Sequence, residues 1–125
     1  MAGTNCYCGS GLEFSDCCET YISGKNNAPT AEALMRSRYS AYALHNADYL
    51  WETTAPKIRK YHSKSAILQW AKANHWVKLE VISASGSTVE FKAYYLDERL
   101  QAQVHHEMSA FVNDGGRWYY FDGEY

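Results

Sequence analysis

A chain of 125 residues has room for one compact domain of about 100 residues and a small appendage, and not for two full cores. Hydrophobic residues make up 46% and aromatic residues 15%, enough to fill a core, which excludes a disordered chain. The formal charge of −2 excludes a general electrostatic pull toward phosphate backbones or anionic lipid, so neither nucleic acid nor a membrane is expected as a partner.

Met1–Tyr7 has neither the basic start nor the apolar stretch of a secretory signal, and no apolar run nears the roughly 18 residues of a membrane span. A cytoplasmic protein is expected. Lasting disulfides are uncommon in that reducing compartment, so Cys6, Cys8, Cys17 and Cys18 call for another chemistry. Their pattern is Cys-x-Cys, eight residues, then Cys-Cys. Thiolate sulfur is the preferred ligand of a closed tetrahedral zinc site. One intervening residue lets Cys6 and Cys8 face the same ion, Gly9 and Gly11 permit the bends that close the loop, and a helical turn brings Cys17 and Cys18 to it. The expected cofactor is one structural zinc; iron in the same four-thiolate set stays open on spacing alone. Residues 1–24 hold no His, so a catalytic thiol or open catalytic metal lacks its usual base there.

The composition changes near Gly24, where Ser23–Pro29 reads as a connector, which divides the chain into a metal-binding module over 1–24 and a larger domain over 25–125. Thr30 is the expected N-cap of a helix carrying Leu34, Met35, Tyr39, Tyr42 and Ala43 on one face to about His45, with Asn46 as its stop. Asp48 is the expected cap of a second, short helix ended by Pro56, and Lys57-Ile58-Arg59-Lys60 reads as a solvated loop. Ser63 caps a third helix with Ile67, Trp70 and Ala71 on one face and Asn74 at its end.

From Trp76 the period becomes alternating. Val77, Leu79 and Val81 are expected on one face of a first strand, Val89–Tyr95 forms a second, Gln103–Val112 a third and Arg117–Phe121 a fourth. Ser85-Gly86-Ser87 and Asn113-Asp114-Gly115-Gly116 supply the turns. Helices followed by a four-stranded meander predict an α+β fold with helices covering one face of an antiparallel sheet.

Cys6-Tyr7-Cys8-Gly9-Ser10-Gly11-Leu12-Glu13-Phe14-Ser15-Asp16-Cys17-Cys18 resembles the SEC-C motif, a short zinc-binding element. Leu34–Tyr42, Ala47–Leu50 and Gly116–Gly123 resemble the YchJ-like family of uncharacterised bacterial proteins. That resemblance implies a SEC-C motif joined to a cone-shaped domain of the nuclear-transport-factor or cystatin-like type, in agreement with the helix-then-meander order. Many SEC-C motifs are lysine-rich and dock on proteins or ribosomes. This one carries no lysine and adds Glu13, Asp16 and Glu19 to the about −2 formal charge of a zinc tetrathiolate, a surface that repels RNA. A protein partner with a basic or apolar face, and hence an adaptor role, is the expectation. A homodimer through an exposed sheet face stays open.

Cones of this type often enclose a pocket. Period two in the third strand puts His105, Glu107, Ser109 and Phe111 on one face, and Arg38 sits inside the apolar stripe of the first helix. A buried guanidinium needs a partner, and Glu107 is the expected one, as a structural ion pair tying helix to sheet. The alternatives are a ligand pocket lined by Arg38, Tyr39, Tyr42 and Phe91, and acid–base chemistry by Glu107 with His105. No catalytic residue is assigned.

Overall fold

The computed structural model describes residues 5–124, with side chains through Gly123. After a 3-10 turn at Phe14–Asp16 come helices α1 (Glu19–Ile22), α2 (Ala31–Ala43) and α3 (Ala47–Glu52), a second 3-10 segment at Pro56–Tyr61, and α4 (Lys64–Ala73). Strands β1 (His75–Ser85), β2 (Thr88–Leu96), β3 (Ala102–Asp114) and β4 (Arg117–Glu124) follow and pair antiparallel in sequence order, with α2 laid across the sheet. The predicted α+β meander is the observed fold. No helix among the described residues is long and apolar enough to cross a membrane.

Local chemistry accounts for the helix starts. Thr30 accepts a hydrogen bond from the Ala33 N–H and Ser63 accepts one from the Ala66 N–H, as their sequence positions predict. The start of α3 differs from expectation: Asn46, not Asp48, is its cap, and accepts from the Tyr49 N–H at 3.0 Å. The reason lies one residue earlier. His45 takes a left-handed φ of 60°, which ends α2 and turns the chain so that the side-chain oxygen of Asn46 faces the first turn of the next helix. Asp48 instead reaches Lys64 across the surface at 2.9 Å.

The basic segment 57–60 is a 3-10 turn rather than a loop. Arg59 donates to the Trp51, Glu52 and Thr54 carbonyls, so it closes the end of α3. The chain between those two elements also pairs with the sheet: the Tyr120 N–H donates to the Thr53 carbonyl at 2.7 Å and the Ala55 N–H to the Tyr120 carbonyl at 2.8 Å.

Three single-residue bulges break the alternation of the strands. Val77 and Ile82 in β1 and Phe121 in β4 have no partner in register, and each is turned to solvent. Val77 therefore does not share the inner face with Leu79 and Val81; the extra residue reverses the alternation and puts Trp76 there instead. The β3–β4 turn uses Gly115 and Gly116 at φ 63° and 88°, left-handed at both central positions, as a two-residue hairpin of this twist requires. The core joins Leu34, Met35 and Tyr39 of α2 to Leu79, Val89, Phe91, Ala93 and Phe111 of the sheet, and the same cluster includes Cys6, Cys8 and Cys18.

Because Asn46 rather than Asp48 satisfies the first turn of α3, Asn46→Ala should lower unfolding stability by about 1 kcal/mol, with Asp48→Ala within about 0.5. Chemical denaturation of the two variants checks this; equal losses would overturn the assignment of the cap.

Candidate functional site

The N-terminal turn is organised by its backbone. The Cys6 N–H donates to the Leu12 carbonyl at 2.8 Å and the Gly9 N–H to the Cys6 carbonyl at 3.2 Å, which closes the loop between the first two cysteines and the rest. Gly9 has φ 78°, a conformation that costs a side chain strain, and a Cβ there would also touch the Leu79 carbonyl of β1. Cys18 has helical angles at the N-cap position of α1, whereas Cys17, at φ −128° and ψ −112°, is not helical, so the expected helical turn holds for Cys18 only.

These constraints place all four sulfurs within 4.8 Å of one another. The Cys8 and Cys17 sulfurs are 3.7 Å apart and those of Cys17 and Cys18 4.0 Å. A disulfide needs about 2.05 Å, whereas the edge of a tetrahedron built on metal–sulfur bonds of about 2.3 Å is about 3.8 Å. The donor set and spacing fit a metal and not a disulfide. Cys6, Cys8 and Cys18 are buried and Cys17 is partly so. No His or carboxylate belongs to the cluster.

The thiols strongly perturb one another. Hydrogen bonds from Cys18 and Cys8, helped by backbone N–H groups of the same residues and opposed by burial, hold the Cys6 thiol far below its ordinary range. Cys18 is pushed far up by its hydrogen bonds to Cys6 and Cys8 and then by burial, and burial also raises Cys17. Without a cation, one thiolate is solvated by its neighbours' protons and the set resists further ionisation; a divalent cation removes that conflict.

Three residues that spacing does not reveal support the cluster. Ser10 Oγ lies 3.2 Å from the Cys17 sulfur and Ser40 Oγ, on α2, 3.7 Å from the Cys6 sulfur. Arg36 donates to the Cys8 carbonyl and to Glu32, each at 2.9 Å, bringing a positive charge beside the thiolates. The Glu32–Arg36 spacing is a legible helical pair; its contact to the knuckle belongs to tertiary structure.

Between α2 and the inner sheet face lies a cavity of about 410 Å³. Arg38, Tyr39, Tyr42, Phe91, His105 and Glu107 all line it, together with Ser109, Trp70, Trp76, Phe111 and Tyr120. The β3 face carrying His105 and Glu107 thus looks inward, which periodicity alone leaves undecided. Tyr39 is pushed up to about 12 by burial and by the nearby Cys8, and burial likewise raises Tyr42.

The expected ion pair between Arg38 and Glu107 is not formed. Arg38 Nη1 donates to the Leu50 carbonyl at 2.9 Å and the Thr53 hydroxyl at 2.6 Å, and its guanidinium lies 4.7 Å over the Tyr120 ring. The carbonyl end of α3 reaches the guanidinium first, which no helix periodicity announces. Glu107, 7% exposed, accepts from His105 Nε2 at 2.7 Å and from the Ser109 hydroxyl, and a Cβ at Gly123 would collide with its carboxylate.

Residues 30–123 match the family described as YchJ, middle NTF2-like domain, and residues 5–20 match the SEC-C motif. A UPF0225 protein of Actinobacillus succinogenes is 42% identical, the match covering 94% of this chain and 79% of that protein. A UPF0225 protein of Geobacter sulfurreducens is 37% identical over 94% and 77%. The solution structure of a SEC-C motif containing protein from Rhodopseudomonas palustris superposes with a TM-score of 0.89 at 42% identity, covering 97% of this chain and 98% of that one. A crystal structure of a SEC-C motif containing protein from Psychrobacter arcticus gives 0.79 at 31%, covering 98% and 81%. With a SEC-C motif leading into an NTF2-like domain and relatives matched over most of its length, the chain belongs to the YchJ-like family of UPF0225 proteins.

Proposed function

We propose that this protein is a small-molecule-binding NTF2-like domain stapled by one structural zinc ion, which Cys6, Cys8, Cys17 and Cys18 hold. The observation that carries the binding role is the cavity, where a buried carboxylate and a partly buried guanidinium stand among mainly aromatic and aliphatic side chains without pairing to each other. Placing two charged groups in an apolar cavity costs folding energy, and a ligand that bonds to both offsets part of that cost.

The same geometry supports a structural metal. Its ligands sit inside the main core, with no acid or base beside them and every coordination position occupied by sulfur. When bound, the ion supplies the positive charge that four neighbouring thiolates need. Arg36 supplies part of the remainder through the Cys8 backbone. Thiol ligands also suit a reducing, cytoplasmic setting.

An adaptor role rests on a different observation. Tyr7 and Leu12, 40% and 53% exposed, stand on the knuckle surface beside exposed Glu13, Asp16 and Glu19. That surface suits a partner with an apolar, basic face.

Native mass spectrometry should find one zinc per chain, released by chelator or by acid as protons compete for sulfur. Cys17→Ser with Cys18→Ser should remove the metal and cost about 3 kcal/mol or more of stability. Metal-free, reduced protein with an unchanged melting temperature would overturn the staple, and iron would declare itself by mass and colour. For the cavity, a fragment screen by two-dimensional NMR should shift amides of β2, β3 and α2 near Phe91, Glu107 and Tyr42. A screen in which aromatic fragments move none of them rejects the binding role. If the knuckle serves as a dock, Leu12→Asp should abolish partner capture with metal content unchanged; capture that survives this change removes that role.

A further inference from the structure

The proposed binding role can be taken further, to a class of ligand. The cavity offers two fixed polar groups, both beside Tyr120: the Arg38 guanidinium lies over its ring, and the Glu107 carboxylate and the Tyr120 hydroxyl both crowd the position a Cβ at Gly123 would take. On the floor, the Glu107 carboxylate is oriented by His105 and Ser109 and meets no Lys or Arg among the described residues. A carboxylate presents about four acceptor positions, so these two bonds leave acceptor capacity unused. On the roof, Arg38 spends Nη1 on Leu50 and Thr53, and its guanidinium lies 4.7 Å over the Tyr120 ring. Its Nε and Nη2 make no hydrogen bond among the described residues, and Arg38 lines the cavity.

Charge then narrows the occupant. A net anion on Arg38 meets Glu107, a net cation on Glu107 meets Arg38, and a hydrocarbon uses neither group. A molecule without net charge that carries N–H donors and a carbonyl acceptor on one edge uses both, and the aromatic side chains in the lining favour a planar ring over an aliphatic zwitterion. Aromatic rings make up much of the remaining lining: Trp76 lies 5.4 Å from Tyr42 and 6.1 Å from Trp70 by ring centroids, and Phe111 packs edge-on to Tyr120. Such surfaces favour a planar, π-bearing body.

We propose that the cone cavity takes a neutral, planar nitrogen heterocycle with a lactam–amidine edge, the chemistry shared by guanine and pterin rings. The edge N–H groups donate to Glu107 and the lactam carbonyl accepts from Arg38. Binding involves no covalent step. This assignment rests on the small-molecule role proposed above.

The test titrates the intact, metal-loaded protein with guanosine, adenosine and indole, followed by calorimetry and by amide shifts around Glu107 and Tyr42. Adenosine lacks the lactam, and indole keeps a flat body with a single N–H. Guanosine should bind about tenfold or more tighter than either, because a site built for hydrogen bonds rejects a ring that leaves them unmade. Glu107→Gln should erase that preference while indole binding changes less than about twofold; Trp70→Ala should weaken all three. If the rings bind alike, or the preference survives Glu107→Gln, the heterocycle assignment is wrong and the cavity role stands. If none binds and no amide shifts, both fall. Should Glu107→Gln fail to fold, Ser109→Ala, which releases one side of the carboxylate, should reduce the guanosine preference, and an unchanged preference rejects the assignment.

Discussion

Four thiols buried side by side constrain everything around them. Cys6, Cys8 and Cys18 are buried in the same apolar cluster as Leu34, Met35, Tyr39 and the inner sheet face, with Cys17 partly buried against it, so the cysteine-bearing segment is part of the core and not a pendant. Their proximity forbids joint ionisation without a cation, and their separation forbids disulfides. A metal at that point would neutralise the thiolates and close a loop too short to bury a core of its own. The loop is tied to α2 by the Arg36 bond to the Cys8 carbonyl and by Ser40 beside the Cys6 sulfur.

With α2 held in that way, the opposite end of its face is free to form a roof. Tyr39 and Trp76 pack edge to face at 6.2 Å between the knuckle side and the cavity side, while Arg38 and Tyr42 look into the open space. The α3 segment and Thr53–Ala55 complete the enclosure by pairing with β4 through Tyr120. Every buried side-chain nitrogen and oxygen among the described residues has a partner. Glu107 finds its partners on its own strand and Arg38 finds its own at the end of α3, so the two charged groups are held separately and not as one ion pair.

The cysteine cluster and the cavity also divide the chemistry of the chain. The cluster holds thiols only, and the cavity holds a carboxylate, a histidine and a guanidinium. The two share α2, which turns Arg36 and Ser40 to the cluster and Arg38 and Tyr42 to the cavity.

Much of this was legible in the residues alone. The helix caps at Thr30 and Ser63, the glycine turns, the four-strand meander and the cysteine set all rest on local rules, in which a residue's own backbone and its neighbours a few positions away decide the outcome. What sequence could not decide involves competition between distant groups. The guanidinium of Arg38 went to the end of α3 and not to Glu107, because proximity in three dimensions chose its partner. The bulges at Val77, Ile82 and Phe121 were set by pairing against neighbouring strands, and one of them exchanged Val77 for Trp76 on the inner face. The linear order of residues thus determined the elements and the clustering of the four cysteines, which span only positions 6 to 18. Only the packed structure decided which polar groups meet and which are left facing a cavity, since that depends on distances between segments that the chain itself does not encode locally.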